Sequence, residues 1–558
     1  MLKIEGGTVY DPTNGVDGEV RDLWVDGGRM VAPPSDPSVK PARRIDARGL
    51  VVMPGGIDMH CHIAGPKVNA ARKLRPDDRR GPENAVLRGE AAGDPMLGRS
   101  GTIGSVPSTF STAYKYAGLG YTTAFDAAVP PLGARQAHQE LADTPCLDKG
   151  CFVLLGNNRY AMECLKAGEL DRLQAYVAWL LKRTKSFAPK LVNPGGVEVW
   201  KQRASGNVEG LDDTVPRYDI TPRQIIQGIA QVANQLGLPH PVHLHCNQLG
   251  MPGNWSTTLD TMRSLEGFKA HLTHIQYHSY GGGDEDEGTL ASRVAELAAY
   301  VNANPNVSVD VGQVMFGSTT NMTGDGPLGH YLYRATGSRW YCHDTEMEAG
   351  CGVLPMTYKN KNLFNALQWA VGLEWYLMVD DPWRVVMSTD HPNGGSFLAY
   401  PELIRLLMDR TYRADVLKTC PDKLRERSQL ADLDREYSLG EIAIITRAGP
   451  ARLLGLKNKG HLGPGADADI TLYTPNANQA TMFELPRMVI KAGEVIVEQG
   501  EIRTAPLGKT LHTHAAYDED RLGDLPAYFA DHYSIPMDDY GVIDAEVPLT
   551  EAVRAGEE

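Results

Sequence analysis

What the 558-residue chain lacks narrows its class first. Only 8 cysteines occur, spread singly and with no Cys-x-x-Cys pair, which excludes a zinc knuckle or a thioredoxin-like motif and leaves reduced, mostly buried thiols as the expectation. No apolar run approaches the roughly 18 residues of a membrane-spanning helix. The opening MLKIEGGTVYDP places charge and glycine where a signal peptide needs a continuous apolar core, so the expectation is a cytoplasmic protein with no membrane span. Positive charge is in deficit: 55 Lys and Arg against 69 Asp and Glu give a net charge of −14, which argues against nucleic acid or an anionic membrane as the main partner. A fixed-period repeat, a dinucleotide-binding fingerprint and a ferredoxin-like cysteine run are all missing. Solenoid folds and in-chain redox chemistry are therefore disfavoured.

What is present is the composition of a loop-rich α/β enzyme: 42% hydrophobic and 22% charged residues, with 58 glycines and 36 prolines. The length implies about two to four domains, one of them large enough for a barrel of roughly 250 residues or more. Short β-type runs separated by turn signals occupy Leu2–Tyr10, Asp22–Val31 and Arg44–Met53, and the same texture returns at Ala468–Tyr473 and Met488–Glu498. Isolated strands do not make a stable sheet, so both chain ends, 1–53 and 451–508, are expected to pair into one small β-sandwich domain. Between them, over 54–450, strand-like runs such as Phe152–Leu155, Pro241–His245, Ala270–His274, Val307–Val311 and Arg384–Asp390 alternate with helical patterns such as Leu173–Leu181 and Ile225–Leu236. That alternation predicts a parallel sheet closed into a (β/α)8 TIM-like barrel. Residues 509–558, with Asp518–Asp520 and Asp538–Asp539, read as an irregular acidic tail, wrapping the body or facing a partner.

Strand alternation puts His60 and His62 of GIDMHCH on one face and Cys61 on the other. Alone, such a pair reads as hydrogen-bonded histidines at a strand end. Three further strand ends carry His245, His274 and Asp390, and in a barrel all such ends ring one mouth. Imidazoles with one carboxylate and no clustered thiolates suit zinc or a similar metal. A pair of metals needs a bridging anion. Lys190, which opens a short strand, could supply one as a carbamate, because burial and nearby metal charge favour the neutral amine; by pattern alone Lys182, Lys185 and Lys201 compete with it.

The order GIDMHCH, a middle lysine, VHLHCN, LTHIQYH and MSTDHP resembles the amidohydrolase superfamily, including its dihydroorotase and dihydropyrimidinase branch, and the flanks RRIDARGLVVMPGGIDMH and GHLGPGADADITLY extend the likeness from residue 1 to about 505. Within it, HIAGPKVNAARKLRPDD, LLGNNRYAMECLK, KLVNPGGVEVWK, HLHCNQLGMPGNW, LTHIQYHSYGG and FGSTTNMTGDGPLGHYLY are similar to the amidohydrolase-type subunits of formylmethanofuran dehydrogenase and of the bacterial formyltransferase/hydrolase complex. The resemblance implies two divalent ions, zinc, held by His60 and His62 on one side and His245 and His274 on the other. N6-carboxylated Lys190 would bridge them, and Asp390 would be both ligand and proton shuttle. It implies hydrolysis of an N-formyl group, formylmethanofuran or a bacterial analogue giving formate and the free amine of a methanofuran-type furan cofactor. The other subunits of such a complex become expected partners. Arginine-rich, lysine-poor usage favours the bacterial hydrolase complex over the dehydrogenase, in which the same site would condense formate with the amine.

Neighbouring residues stay open between function and structure. Asn193, Asn247, His278 and His391 adjoin the implied ligands and are candidate substrate contacts. His243 and His271 sit deeper in their strands, which favours support behind the ligands or core packing. Cys61 and Cys246 are aimed away and expected to pack, and the acidic run Asp284–Glu287 reads as a solvated loop. Two rival functions remain: a cyclic-amide hydrolase of the hydantoinase or dihydropyrimidinase type, and a non-catalytic scaffold that keeps the barrel only to hold partners.

Overall fold

The computed structural model describes residues 1–36, 38–65, 68, 69, 71, 109–202, 207–283, 290–323, 341, 342, 352–533 and 535–556. The acidic run 284–287 lies outside them. Eight parallel strands run through the middle of the chain: β1 (Gly56–Cys61), β2 (Tyr121–Val129), β3 (Asp148–Leu154), β4 (Ala188–Val192), β5 (Val242–His245), β6 (Ala270–Leu272), β7 (Val307–Asp310) and β8 (Val385–Val386). Each pairs with the next in sequence. The ring closes where Cys61 bridges His391 in parallel and the His62 N–H donates to the His391 carbonyl at 2.8 Å. This is the closed (β/α)8 barrel that the alternation predicts.

Burial on both faces explains why these strands read as apolar runs rather than alternating ones; every residue of β3 and β4 is buried. The helices between them are set by local signals. Pro222–Gln235 starts at Thr221, whose hydroxyl accepts from the Gln224 N–H while the Gln224 side chain returns to the Thr221 N–H, and it buries Ile225, Ile226, Ile229 and Val232 against the barrel. Gly237, at φ +61°, turns the chain out of it toward β5.

Both chain ends build one nine-stranded hydrogen-bonded sheet. Val51–Pro54 lies between Leu2–Asp11, parallel to it, and Ile470–Tyr473, antiparallel to it. Its apolar cluster draws Ile4, Val9, Val25 and Val52 from the first fifty-odd residues and Leu462, Ile470, Leu472 and Ile490 from the second segment. The pairing therefore clasps the start of the barrel, because Pro54 leads directly into β1.

The last fifty residues are more regular than their composition suggests. Thr510–His514 and Thr550–Arg554 pair in parallel, and the first of them inserts at the base of the barrel: Thr510 pairs with Lys149 at the start of β3, and the Thr513 N–H donates to the Ser186 carbonyl just before β4. Leu511 joins Phe125, Phe152, Phe187, Leu454 and Leu456 as the apolar floor. The sequence TLHTH conceals this strand because its support comes from insertion between β3 and β4 rather than from its own pattern.

Candidate metal centre

The upper end of the barrel gathers the candidate residues. His60 lies near the end of β1, within an irregularity in the β1–β2 register between Asp58 and Cys61. Asp58 fixes that turn of chain: its Oδ1 accepts from the His60 N–H at 3.0 Å, and its Oδ2 accepts from the Tyr116 and Tyr400 hydroxyls at 2.7 and 2.6 Å. Asp126, in β2, accepts from the Ile63 and Ala64 N–H groups at 2.8 and 2.9 Å and so holds the chain just past His62. His274, Asp390 and Asn193 adopt left-handed φ values of +36°, +51° and +43°, a local strain at this mouth. Gly312 makes room for one of them. A Cβ there would lie 2.3 Å from the His274 Cβ.

His60 Nε2 and His62 Nε2 each lie 3.0 Å from Asp390 Oδ1. Ligand atoms of His60, His274 and Asp390 fall within 4.8 Å of one another, all from buried residues. His245 stands edge-on to His274 with ring centroids 4.6 Å apart, and His278 lies 5.4 Å from both. Lys190 is buried, pairs in register with His243, and donates from Nζ to Thr273 Oγ1 at 3.0 Å, directly before His274. The other candidates are placed differently. Asn247 donates to Asn193 Oδ1 at 2.8 Å and to the Pro194 carbonyl at 2.9 Å, tying the loop after β4 to the loop after β5. The His391 ring packs edge-on against Phe397 at 4.8 Å.

The electrostatics match a cation site. Burial would raise Asp390, but the His60 and His274 imidazoles and the bonds from His60 and His62 hold its carboxyl well below the usual range. Burial pushes the Lys190 amine down to about 8, so a neutral amine is within reach near neutrality. Burial likewise depresses His274 and His278 strongly, which keeps their nitrogens available as neutral donors. His60 goes the other way: burial opposes its charge, yet Asp310 and Asp390 outweigh that and raise it to about 9. Among the described residues, the buried Nδ1 of His274 has no hydrogen-bond partner, an unmet need that a metal would satisfy. Four imidazoles, a carboxylate and a lysine with a lowered pKa form a donor set that fits a divalent pair.

Sequence reasoning missed two of the groups behind these side chains, Asp310 and Asn393. Asp310, at the end of β7, has Oδ2 2.9 Å from His60 Nδ1 and 3.3 Å from His271 Nε2, while its Oδ1 accepts from the His274 N–H at 2.8 Å. His243 Nε2 lies 3.0 Å from the same His60 nitrogen. One signal was present: Asp310 closes VSVD at the same strand-end position as the other ring members. Asn393 donates to Asp390 Oδ2 at 2.9 Å, leaving Oδ1 turned toward the two histidines.

Residues 43–497 match the model of the Amidohydrolase family (Amidohydro_3). The chain belongs to that family. This amidohydrolase is 44% identical over 564 residues to Protein FwdA of Methanocaldococcus jannaschii, covering 97% of this chain and 96% of that one. It is 37% identical over 560 residues to the FhcA component of the formyltransferase/hydrolase complex of Methylorubrum extorquens, covering 98% and 97%. Its fold superimposes with a TM-score of 0.91, at 36% identity and with 100% of both chains covered, on a chain of the crystal structure of the FhcABCD complex from that organism in complex with methylofuran. Among the described residues, no helix is long and apolar enough to cross a membrane.

Proposed function

We propose that this chain hydrolyses the N-formyl group of a furan-type amine cofactor, formylmethanofuran or a bacterial analogue, as the hydrolytic component of a formyltransferase/hydrolase complex. The observation that carries the reading is the buried Asp390 carboxylate, 3.0 Å from both His60 Nε2 and His62 Nε2, with His274 beside it. Near-full-length similarity to FhcA, and to a structure solved with methylofuran, supports the choice of substrate.

In this reading His60, His62, His245 and His274, with Asp390 and N6-carboxylated Lys190, hold two zinc ions. A divalent pair there would make water acidic near neutral pH and polarise the formyl oxygen. The residues of the chain do the rest. Asp390, ionised at neutral pH and fixed by Asn393, takes a proton from the attacking water through Oδ1 and returns it to the leaving nitrogen. Water adds to the formyl carbon, the C–N bond breaks, and formate and the free amine leave. Asp310 holds His60 from behind, so the imidazole presents Nε2 to the centre. His278 faces the same space and is the nearest candidate substrate contact, with Asn193, Asn247 and His391 shaping the loops around it.

The motifs shared with the amidohydrolase-type subunit of formylmethanofuran dehydrogenase support a second reading, in which the chain is that component and the same residues condense formate with the amine. Both readings share one test. Asp390→Asn should lower turnover of an N-formyl furfurylamine by about 10²- to 10⁴-fold, with the melting temperature retained. Unchanged turnover would remove Asp390 as the proton shuttle; no turnover by the native chain would leave only a scaffold, and ring-opening of a dihydropyrimidine without deformylation would identify a cyclic-amide hydrolase.

A further inference from the structure

A groove of about 1000 Å³ opens at the base of the barrel, at the end of the strands opposite the candidate metal centre. One wall is the start of β5 to β8, with Lys269 beside β6, and Trp383 and Arg384 just before β8. Arg452 and Lys457 contribute from the segment that leads back to the β domain. The other wall is the strand Thr550–Arg554, and the Gly556 N–H closes one end by donating to the Gly237 carbonyl at 2.8 Å.

Two features of this groove ask for a partner. The first is charge. Lys269, Arg452 and Lys457 are exposed and, among the described residues, make no ion pair, although the chain as a whole carries −14. Arg452 stands over the Trp383 ring at 5.2 Å, and Arg384 is occupied with the carbonyls of Val301, Asn304 and Val307. Of the acids at the rim, Glu551 is already paired with Lys509 at 2.7 Å, and Asp381 accepts from the Trp383 N–H at 3.0 Å. The second is backbone. Thr550–Arg554 is the terminal strand of its sheet, paired on one edge only, with Thr510–His514. Residues 550–553 have no backbone partner on the other edge among the described residues. Val553 packs on the apolar floor, so the strand is anchored rather than loose. An anchored edge strand beside a basic groove has the form of a β-augmentation site, in which main-chain hydrogen bonds supply affinity and the lining supplies selectivity.

We propose that an extended, acidic segment of another protein of the complex docks here, adding a strand to Thr550–Arg554 and placing its carboxylates against Lys269, Arg452 and Lys457. The inference rests on the reading that the chain works inside a multisubunit complex. It assigns assembly to the base of the barrel and leaves the mouth free for substrate.

The test is hydrogen exchange on the full chain, alone and assembled with the other subunits of its complex. Amides of 550–554 should gain protection on assembly. The triple variant Lys269→Glu/Arg452→Glu/Lys457→Glu should weaken assembly by about tenfold or more at low salt, with the gap narrowing as salt rises, while deformylation by the isolated chain is unchanged. Assembly without new protection of 550–554, or with full affinity in the triple variant, would overturn the docking site and leave the functional reading intact. Protection that rises with the concentration of the isolated chain would mean a second copy occupies the groove, and would also overturn it. Failure to assemble with any such partner would overturn both.

Discussion

Asp390 is a carboxylate divided between two tasks: Oδ1 meets His60 and His62, and Oδ2 is held by the Asn393 amide. Asn393 is itself fixed, since its Oδ1 accepts from the Met322 N–H at 2.6 Å and its carbonyl accepts from the Tyr358 hydroxyl at 3.0 Å. Removing the amide frees the carboxylate to rotate away from the reacting atoms. A hydrogen bond to a charged group contributes about 1.5–3 kcal/mol, so Asn393→Ala should cost kcat about 10- to 100-fold. KM and metal content should hold; a loss confined to KM would show that Asn393 touches substrate instead. Asp310 acts on the other side of the centre, through His60 and the His274 backbone. Asp310→Asn keeps the shape but removes the charge that orients His60, and should weaken metal binding by about 10- to 100-fold, read by competition with a chromophoric chelator. Asn393 was not legible from the chain, and Asp310 showed only its strand-end position. The strand-end pattern that marks His60, His62, His245, His274 and Asp390 is local, whereas Asp310 earns its role from contacts with histidines at positions 60, 271 and 274, and Asn393 from the Met322 backbone, 71 residues earlier.

The barrel strands are legible for a different reason: a strand buried on both faces must be apolar along its whole length, and a helix beside it must show a 3.6-residue period, whatever the tertiary detail. Short insertions escape that logic. Thr510–His514 carries one apolar residue among four polar ones, like a surface segment, yet Leu511 is 1% exposed in the barrel floor with Phe125, Phe152 and Phe187. Its burial follows from the gap between β3 and β4, which no local window contains. Leu511→Ala should therefore destabilise the chain by about 2–5 kcal/mol in urea unfolding, the range for a fully buried leucine whose surroundings cannot collapse. A change below about 0.5 kcal/mol would mean that the tail merely rests on the base.

The two ends of the chain meet the barrel through a buried charge cluster that joins the whole molecule. Lys459 Nζ lies 2.5, 2.9 and 3.0 Å from Asp148, Asp467 and Asp469; Lys491 Nζ lies 2.6 Å from Asp148 and 3.0 Å from Asp469; Arg29 reaches Asp467 at 2.8 Å. The three aspartates are spaced as metal ligands are, but two ammonium groups already fill the position. Asp148 begins β3, Asp467 and Asp469 lead into the clasping strand, and Lys491 ends another strand of the same sheet, so the cluster ties sheet to barrel. Burial disfavours the aspartate charges, and the two lysines outweigh it, holding Asp148 and Asp469 below the ordinary value of 3.8 and Lys459 well above 10.5. The carboxylate contribution is thus fully present above about pH 4 and is lost as pH falls through the depressed native values; the Lys459 contribution persists up to strongly alkaline pH. Lys459→Met strands buried carboxylates without their main partner and should cost about 3–5 kcal/mol at neutral pH. Without Lys459 the buried aspartates lose the partner that holds them low and take up protons at higher pH than in the native chain; once protonated they no longer need the amine, so the deficit relative to the native chain should shrink in acid. Urea unfolding at neutral pH and at about pH 3.5 measures both values; a deficit that stays constant across that range would assign the loss to packing of the lysine stem rather than to charge.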